Sequence, residues 1–384
     1  MICHDQEPLN FELYSDPNLL TKFYHMPIRQ KFENSMLPDE KDLYKKLFGN
    51  LNLRMAAMPF ANVYDKTLLM HSERNSQELI KYQNHGFEGV YWWVHAVIAR
   101  DWYRYAQFDP KLKIRNNFAK KDFLIYNRAW TNTREYRLKL SQQLVNLDLL
   151  KYCLTKFQPQ CDGIEYKNYN FKNKNFQISN YNLEDYFDIS TADSTYSADY
   201  VAEDYNNTYI EVILETLFDD SRLHLTEKSL RPIACRQPFI LAGTANSLEY
   251  LKSYGFKTFD PWIDETYDKI ADSSERLGKI LSEMKRISLL SPGEKQHMIE
   301  QCRKIAEFNQ QVFFSEVFFE TVVSELQDNF SIARLNLKKF CTGKLFESYH
   351  DFCKKTKNKY APNEHQLESI KQKISAARPT NTKI

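Results

Sequence analysis

The stretch from Tyr209 to Phe259 constrains the fold more than any other part of the chain. A mostly apolar run, Ile210 to Phe218, carries Glu215 near its end and stops at Asp219-Asp220. Short apolar runs bounded by turn residues read as strands buried on both faces. Thr226-Glu227-Lys228 follows a loop and opens a helical pattern, with Thr226 as a natural cap. Gln237-Pro238 stops that helix, and Phe239-Ile240-Leu241-Ala242-Gly243 begins a new strand. Ser247 to Tyr254 is helical up to Gly255, and Phe256-Lys257-Thr258-Phe259 predicts one more short strand. Strands alternating with helices predict an α/β fold whose parallel sheet is covered on both faces. Ligands of such sheets sit at the strand C-termini, where helix N-termini turn free N–H groups toward anions. Thr226, Glu227 and Lys228 fall at such a place, with Glu215 ending the preceding strand and Lys228 able to meet a phosphate.

A chain of 384 residues exceeds one ordinary hydrophobic core, so two domains are expected. The net charge of +2 excludes a general polycation, and nucleic-acid binding would need a local patch. The seven cysteines are scattered, odd in number and without a C-x-x-C pair, which predicts a reducing compartment and no zinc site. No apolar run approaches the roughly 18 residues of a membrane span. The expectation is therefore a cytoplasmic protein without a membrane partner. Few glycines beside abundant Tyr, Asn and Lys suggest an AT-rich genome such as a phage's.

Three boundaries are expected: an N-terminal domain over 1–115, a second over 116–290, and C-terminal helices over 291–384 with a disordered tail. In the first domain, Asp5 and Glu7 follow a short apolar piece and precede Pro8, and Glu73 follows the strand-like run Tyr64 to Met70. Both are strand-to-loop junctions, where functional side chains concentrate. His95, Ala99 and Trp102 share one face of a helix, and His95 reads as a satisfied core histidine. The polar stretch 109–121 reads as a linker. Phe123 to Tyr126 is a buried strand ending at Asn127-Arg128, and a helix follows from Arg134. Arg128 at the strand tip and Arg134 at the helix start are candidates for a diphosphate, since a guanidinium fork matches phosphate oxygens. Arg137 reads as a helix-surface residue. Lys167 to Phe176 interleaves lysines with aromatics, either a base-stacking surface or an ordinary surface hairpin. Ser291-Pro292-Gly293-Glu294 marks a helix restart.

The acid-ended strand, Leu225, Thr226-Glu227-Lys228, the helix and the strand Pro238 to Gly243 together resemble the donor-binding motif of the α1,3-fucosyltransferases, glycosyltransferase family 10. Thr216 stands where that family usually has Asn. The opening His4-Asp5-Gln6-Glu7-Pro8 resembles phage glycosyltransferases related to that family. The resemblance implies a GT-B fold, two Rossmann-like domains facing a cleft and braced by C-terminal helices, that transfers a sugar with inversion from a nucleotide-sugar such as a UDP- or GDP-sugar. It implies a donor site of Arg128, Arg134, Glu215, Thr226, Glu227 and Lys228. In it Lys228 and Arg128 meet the departing diphosphate, Glu227 bonds donor hydroxyls or orients Lys228, and Glu215 holds ribose or sugar. It places the base in the first domain, where Glu7, Asp5 and Glu73 are the candidates, and it implies no obligatory metal or other cofactor. Three readings of the whole follow. The acceptor is a 5-hydroxymethylated cytosine in double-stranded phage DNA, glucosylated or arabinosylated in the host cytoplasm; or it is a glycan or lipopolysaccharide; or the chain is a non-catalytic nucleotide-binding protein.

Overall fold

The computed structural model of the chain describes residues 2–4, 8–9, 68–77, 80, 88–104, 106–113, 119–179, 182–189 and 199–337. It divides into two compact units, Met1–Trp92 with Val323–Ile384, and Trp93–Val322.

The first unit holds a four-stranded sheet of β1 (Ile2–His4), β2 (Pro8–Leu9), β3 (Leu68–His71) and β4 (Glu88–Tyr91), in the spatial order β2-β1-β3-β4. β1, β3 and β4 run parallel, with Ile2 opposite Leu68 and His71 opposite Tyr91, and β2 folds back antiparallel. A tight turn follows β3, with Asn75 at a positive φ of 64°, a conformation Asn tolerates better than most residues. Ser72 and Ser76 are buried on either side of it.

The second unit begins with α1 (Val94–Trp102) and the short α2 (Pro110–Lys113). Its sheet comprises β5 (Lys121–Asn127), β6 (Cys153–Phe157), β9 (Asp188–Ile189), β10 (Thr208–Leu214) and β11 (Phe239–Ala242), all parallel. A separate hairpin, β7 (Gln160–Cys161) and β8 (Ile164–Glu165), branches off after β6. Across the large sheet the order is β9-β6-β5-β10-β11. The chain moves outward from β5 to β9, then returns to β10 on the other side of β5. That reversal is the order of a doubly wound sheet, and it opens a crevice at the C-terminal ends of β5 and β10.

The central strands are apolar because both faces are covered. Phe123, Leu124, Ile125, Ile210, Val212, Ile213 and the whole of β11 are buried. α3 (Tyr136–Asn146) makes the crossover from β5 to β6, α4 (Ala202–Asn206) precedes β10, and α5 (Glu227–Ala234) links β10 to β11. One charged pair lies inside this core. Arg231 of α5 donates to Glu211 of β10 at 2.6 Å and to the Tyr205 hydroxyl at 3.1 Å, with its guanidinium over the Tyr126 ring. Removing either member would leave a buried charge alone, a loss of about 3–5 kcal/mol.

After β11 come α6 (Ser247–Lys252), α7 (Ser273–Ser288), α8 (Pro292–Phe314) and α9 (Glu316–Leu337). The restart at Ser291 is a capping box, with Ser291 and Glu294 bonding each other's backbone N–H and Pro292 in the first turn. α8 belongs to the second unit, where Lys295 bonds both oxygens of Asp122, at the start of β5, at 2.8 Å. α9 runs on into residues of the first unit, where Asn329 donates to the Tyr91 carbonyl.

Two local expectations need correction. Phe256 to Phe259 is not a strand: Asn309 of α8 takes both backbone groups of Lys257, so that edge bonds a side chain instead of extending the sheet. The stretch read as a linker is tied into the second unit. Tyr200 donates to Asp109, Asn206 to the Lys111 carbonyl and Arg236 to the Leu112 carbonyl.

Candidate functional site

Glu215 follows β10 directly and is completely buried. Its Oε1 accepts from the Thr226 amide at 2.9 Å and the Ser229 hydroxyl at 2.5 Å. Its Oε2 accepts from the Thr216 amide at 3.0 Å and the Thr226 hydroxyl at 2.8 Å. A buried carboxylate needs such donors to remain there at all. All four come from the chain, so Glu215 fastens the end of β10 to the start of α5 and sets the direction in which that helix leaves. Thr226 then caps α5, accepting from the Lys228 amide at 3.3 Å. Gly243, ending the β11 run, closes the same corner. A Cβ there would stand 2.9 Å from the Ser247 hydroxyl and 3.7 Å from Glu215 Cβ.

Tyr136 and Arg137, at the start of α3, hold this corner from the other side of the crevice. The Tyr136 hydroxyl donates to the carbonyls of Glu215 and Ala242, at 2.7 and 3.2 Å. Arg137 donates to the Ala129 carbonyl beyond β5, and to those of Leu214 and Glu215 at the end of β10. It bridges the two strand ends between which the sheet order reverses. The expectation that Arg137 is a surface residue is overturned: it is 2% exposed. Its position four residues after the Thr131-Asn132-Thr133 turn gave no sign that the helix would bury its first turn.

Arg134 is half-buried beside it, donating to the Thr131 carbonyl at 3.3 Å. Burial and then the neighbouring Arg137 charge lower its proton affinity, and an anion there would relieve both. Arg128, just past the end of β5, is also half-buried. The structure therefore brings Arg128, Arg134, Glu215, Thr226, Glu227 and Lys228 into one unit, around the C-terminal ends of β5 and β10. Asp5 and Glu7 lie outside the described residues. Glu73 is in the turn after β3 of the first unit.

At the mouth of α5, Glu227 is 7% exposed. The Lys228 ammonium sits 2.7 Å from its Oε1, and His95 Nδ1 of α1 sits 3.5 Å from its Oε2. Burial opposes ionisation of Glu227, but Lys228, joined by His95 whenever its ring is protonated, outweighs it and holds the carboxyl well below the usual carboxylate range. α1 is fixed against this loop by Trp93, whose indole N–H donates to the Leu225 carbonyl at 2.7 Å. His95 also meets the His224 ring edge to face, with centroids 5.0 Å apart. The 3.5 Å approach to Glu227 becomes a charge pair only when the ring is protonated. Neither ring nitrogen of His95 has a hydrogen-bond partner among the described residues, although the residue is only 9% exposed. The reading of His95 as a satisfied core histidine is corrected accordingly: it is buried and unsatisfied.

Four further residues shape the surroundings. Glu135, buried before α3, accepts from the Tyr169 hydroxyl and the amides of Lys172 and Asn173. It thereby straps residues 166–176 to the unit, and Tyr166 and Phe176 turn inward. The lysines of this stretch face out, and Lys167 pairs with Glu184. Arg276 stacks on Phe218 and donates to the Phe218 carbonyl, fixing the turn after Glu215. Asp219 accepts from Asn173, and Asp220 is paired with Arg222. Among the described residues no group of three His, Cys, Asp or Glu side chains is arranged to hold a metal ion, and no helix is long and apolar enough to cross a membrane.

Chemically, the corner offers a part-exposed ammonium, a capped helix N-terminus and two half-buried guanidinium groups in the segment that follows β5. Such a set suits an oxyanion that carries more than one negative charge. No family model matches the chain, and neither a curated protein nor a solved structure matches it.

Proposed function

We propose that this chain is an inverting glycosyltransferase of GT-B type that takes its nucleotide-sugar donor at the C-terminal ends of β5 and β10. The observation that carries this reading is the junction of Glu215, Thr226, Glu227 and Lys228. There a saturated buried acid aims a capped helix, with a lysine in its first turn, at the crevice of a doubly wound sheet. That arrangement suits a diphosphate leaving group, whose developing charge needs donors already in place. In this reading Lys228 and Arg128 meet the diphosphate, with Arg134 beside them. Glu227 holds Lys228 until the donor arrives, and Glu215 acts by building the corner rather than by touching sugar. The base that takes the acceptor proton is proposed among Asp5, Glu7 and Glu73; its loss should cost at least about 100-fold in turnover while donor binding persists.

The acceptor is proposed to be a hydroxyl of hydroxymethylcytosine in duplex DNA or of a surface glycan. Because Tyr166 and Phe176 pack inward, the stretch 166–176 offers exposed lysines and no fully exposed ring, so any DNA contact there runs through phosphates. Turnover on DNA would then fall steeply as salt rises.

The decisive experiment incubates the full chain with UDP- and GDP-sugars, together with hydroxymethylcytosine DNA or a glycan mixture, and reads products by mass spectrometry. A mass increment of one sugar on either acceptor supports the reading. Nucleoside diphosphate binding without any transfer would leave a nucleotide-binding protein in its place.

A further inference from the structure

We propose that a diphosphate arriving at α5 takes Lys228 away from Glu227, and that His95 takes up a proton in the same event to remain as Glu227's counter-charge. The inference rests on the donor-site reading above and adds to it a positioning residue and a proton.

The geometry leads there step by step. Glu227 is nearly buried and has two cationic or potentially cationic neighbours, Lys228 on one oxygen and His95 on the other. Lys228 is the more exposed of the pair and also touches the Thr226 hydroxyl at 3.3 Å, at the open end of the helix. It is the group a phosphate would reach first. Once it turns to the phosphate, the Glu227 carboxylate keeps one neighbour, 3.5 Å away. A buried carboxylate without a counter-charge is strongly disfavoured.

His95 is suited to respond. Its ring is buried, neither nitrogen is hydrogen-bonded among the described residues, and Trp93 anchors its helix to the loop before α5. A neutral imidazole so placed carries a polar nitrogen with nothing to satisfy it. The imidazolium would gain a full charge pair with Glu227. The other titratable groups around it have settled roles. Tyr103, at the end of α1, stays neutral because burial raises its pKa well above the ordinary value. Arg231, further along α5, is committed to Glu211 and Tyr205. Among the described residues His224 is the other histidine at the junction, in ring contact with His95.

The balance is simple: one proton passes from solvent to the His95 ring, the Lys228 ammonium changes partner, and no covalent bond is made or broken. By linkage, a ligand whose binding takes up a proton binds more tightly as pH falls.

The test is calorimetric titration of the full chain with UDP and with GDP at about pH 8, in buffers of different ionisation enthalpy, with binding constants measured also at lower pH. At that pH the terminal phosphate of the probe is already ionised, so protons consumed report on the protein. The expected result is net uptake approaching one proton, with affinity weakening by up to about tenfold per pH unit above the histidine range. His95→Gln should bind with little proton uptake and a flat pH profile. Glu227→Gln should do the same, which keeps the test open if one variant folds poorly. His224→Gln should keep the uptake. Binding without proton uptake in the unaltered chain, or uptake that survives His95→Gln, or uptake lost only in His224→Gln, overturns the inference and leaves the nucleotide site standing. If neither UDP nor GDP binds, the donor-site reading falls and this inference with it.

Discussion

Two glutamates twelve residues apart answer burial in opposite ways. Glu215 accepts four hydrogen bonds from neutral donors of its own chain. Glu227 has an ammonium on one oxygen and an unsatisfied histidine on the other. A carboxylate held by neutral amides and hydroxyls has no partner that a ligand would compete for. A carboxylate held by a more exposed cation can lend that cation to an incoming anion. The difference separates the part of the junction that builds it from the part that is free to exchange partners, though the two are joined through Thr226.

The largest effect should come from breaking the first kind. Glu215→Ala strands two backbone amides and two hydroxyls in the core and should cost about 3–5 kcal/mol, read from urea unfolding. Arg137→Ala, which leaves three strand-end carbonyls short of a donor, should fall near the low end of that range. A loss below about 1 kcal/mol for Glu215→Ala would mean that the junction forms without its acid.

Next comes the second kind. Lys228→Ala should destabilise less than Glu215→Ala, since His95 stays beside Glu227, and should lower turnover by about 100- to 1,000-fold, the scale of one lost oxyanion contact. Arg128→Ala should act in the same direction. Near-native turnover and nucleotide affinity in the Lys228 variant would remove the donor assignment.

A smaller effect concerns acid. Because its neighbours hold the Glu227 carboxyl well below its ordinary 4.5, the unfolded chain binds that proton first as pH falls. The stabilisation is therefore complete above the unfolded value and is lost as pH falls through the folded one. Urea midpoints measured between about pH 5 and pH 3 should drop more steeply for the native chain than for Glu227→Gln. Equal slopes would mean that Glu227 is not an ionised, paired group in the folded protein.

The smallest expected effect is none. Transfer should survive EDTA, since Lys228 and the arginines are proposed to meet the diphosphate. Full loss with rescue by magnesium or manganese would shift attention to Asp219 and Asp220, now bonded to Asn173 and paired with Arg222.

The run from Glu215 to Lys228 was readable in the chain, and the distant contacts that hold it were not. Strand, acid, Thr-Glu-Lys and the next strand follow one another within about 30 residues, so local pattern and capping chemistry were enough to place them. So was the capping box before α8, which Ser291, Pro292 and Glu294 announce within one turn. What stayed hidden depends on residues far apart in sequence. Arg137 looked like a surface residue because its partners are carbonyls, which any residue can supply. Phe256 to Phe259 looked like a strand because its apolar side chains are indeed buried. Its backbone bonds go to Asn309, some fifty positions later, and no local signal marks that. His95 was assigned to the core from its helical face, and the face was right. Its lack of a partner is a property of three elements meeting, not of its own helix.

The pairing of Lys295 with Asp122 bears on how the second unit can be cut. A fragment ending at residue 290 would keep every strand of the large sheet, yet it would leave a buried carboxylate at the foot of β5 with its cation removed. One beginning after α1 would strip the indole from the Leu225 carbonyl and the imidazole from Glu227. The natural autonomous piece therefore carries both flanks, from Trp93 through α8, and a gentle protease should release something near that size before it nicks the sheet.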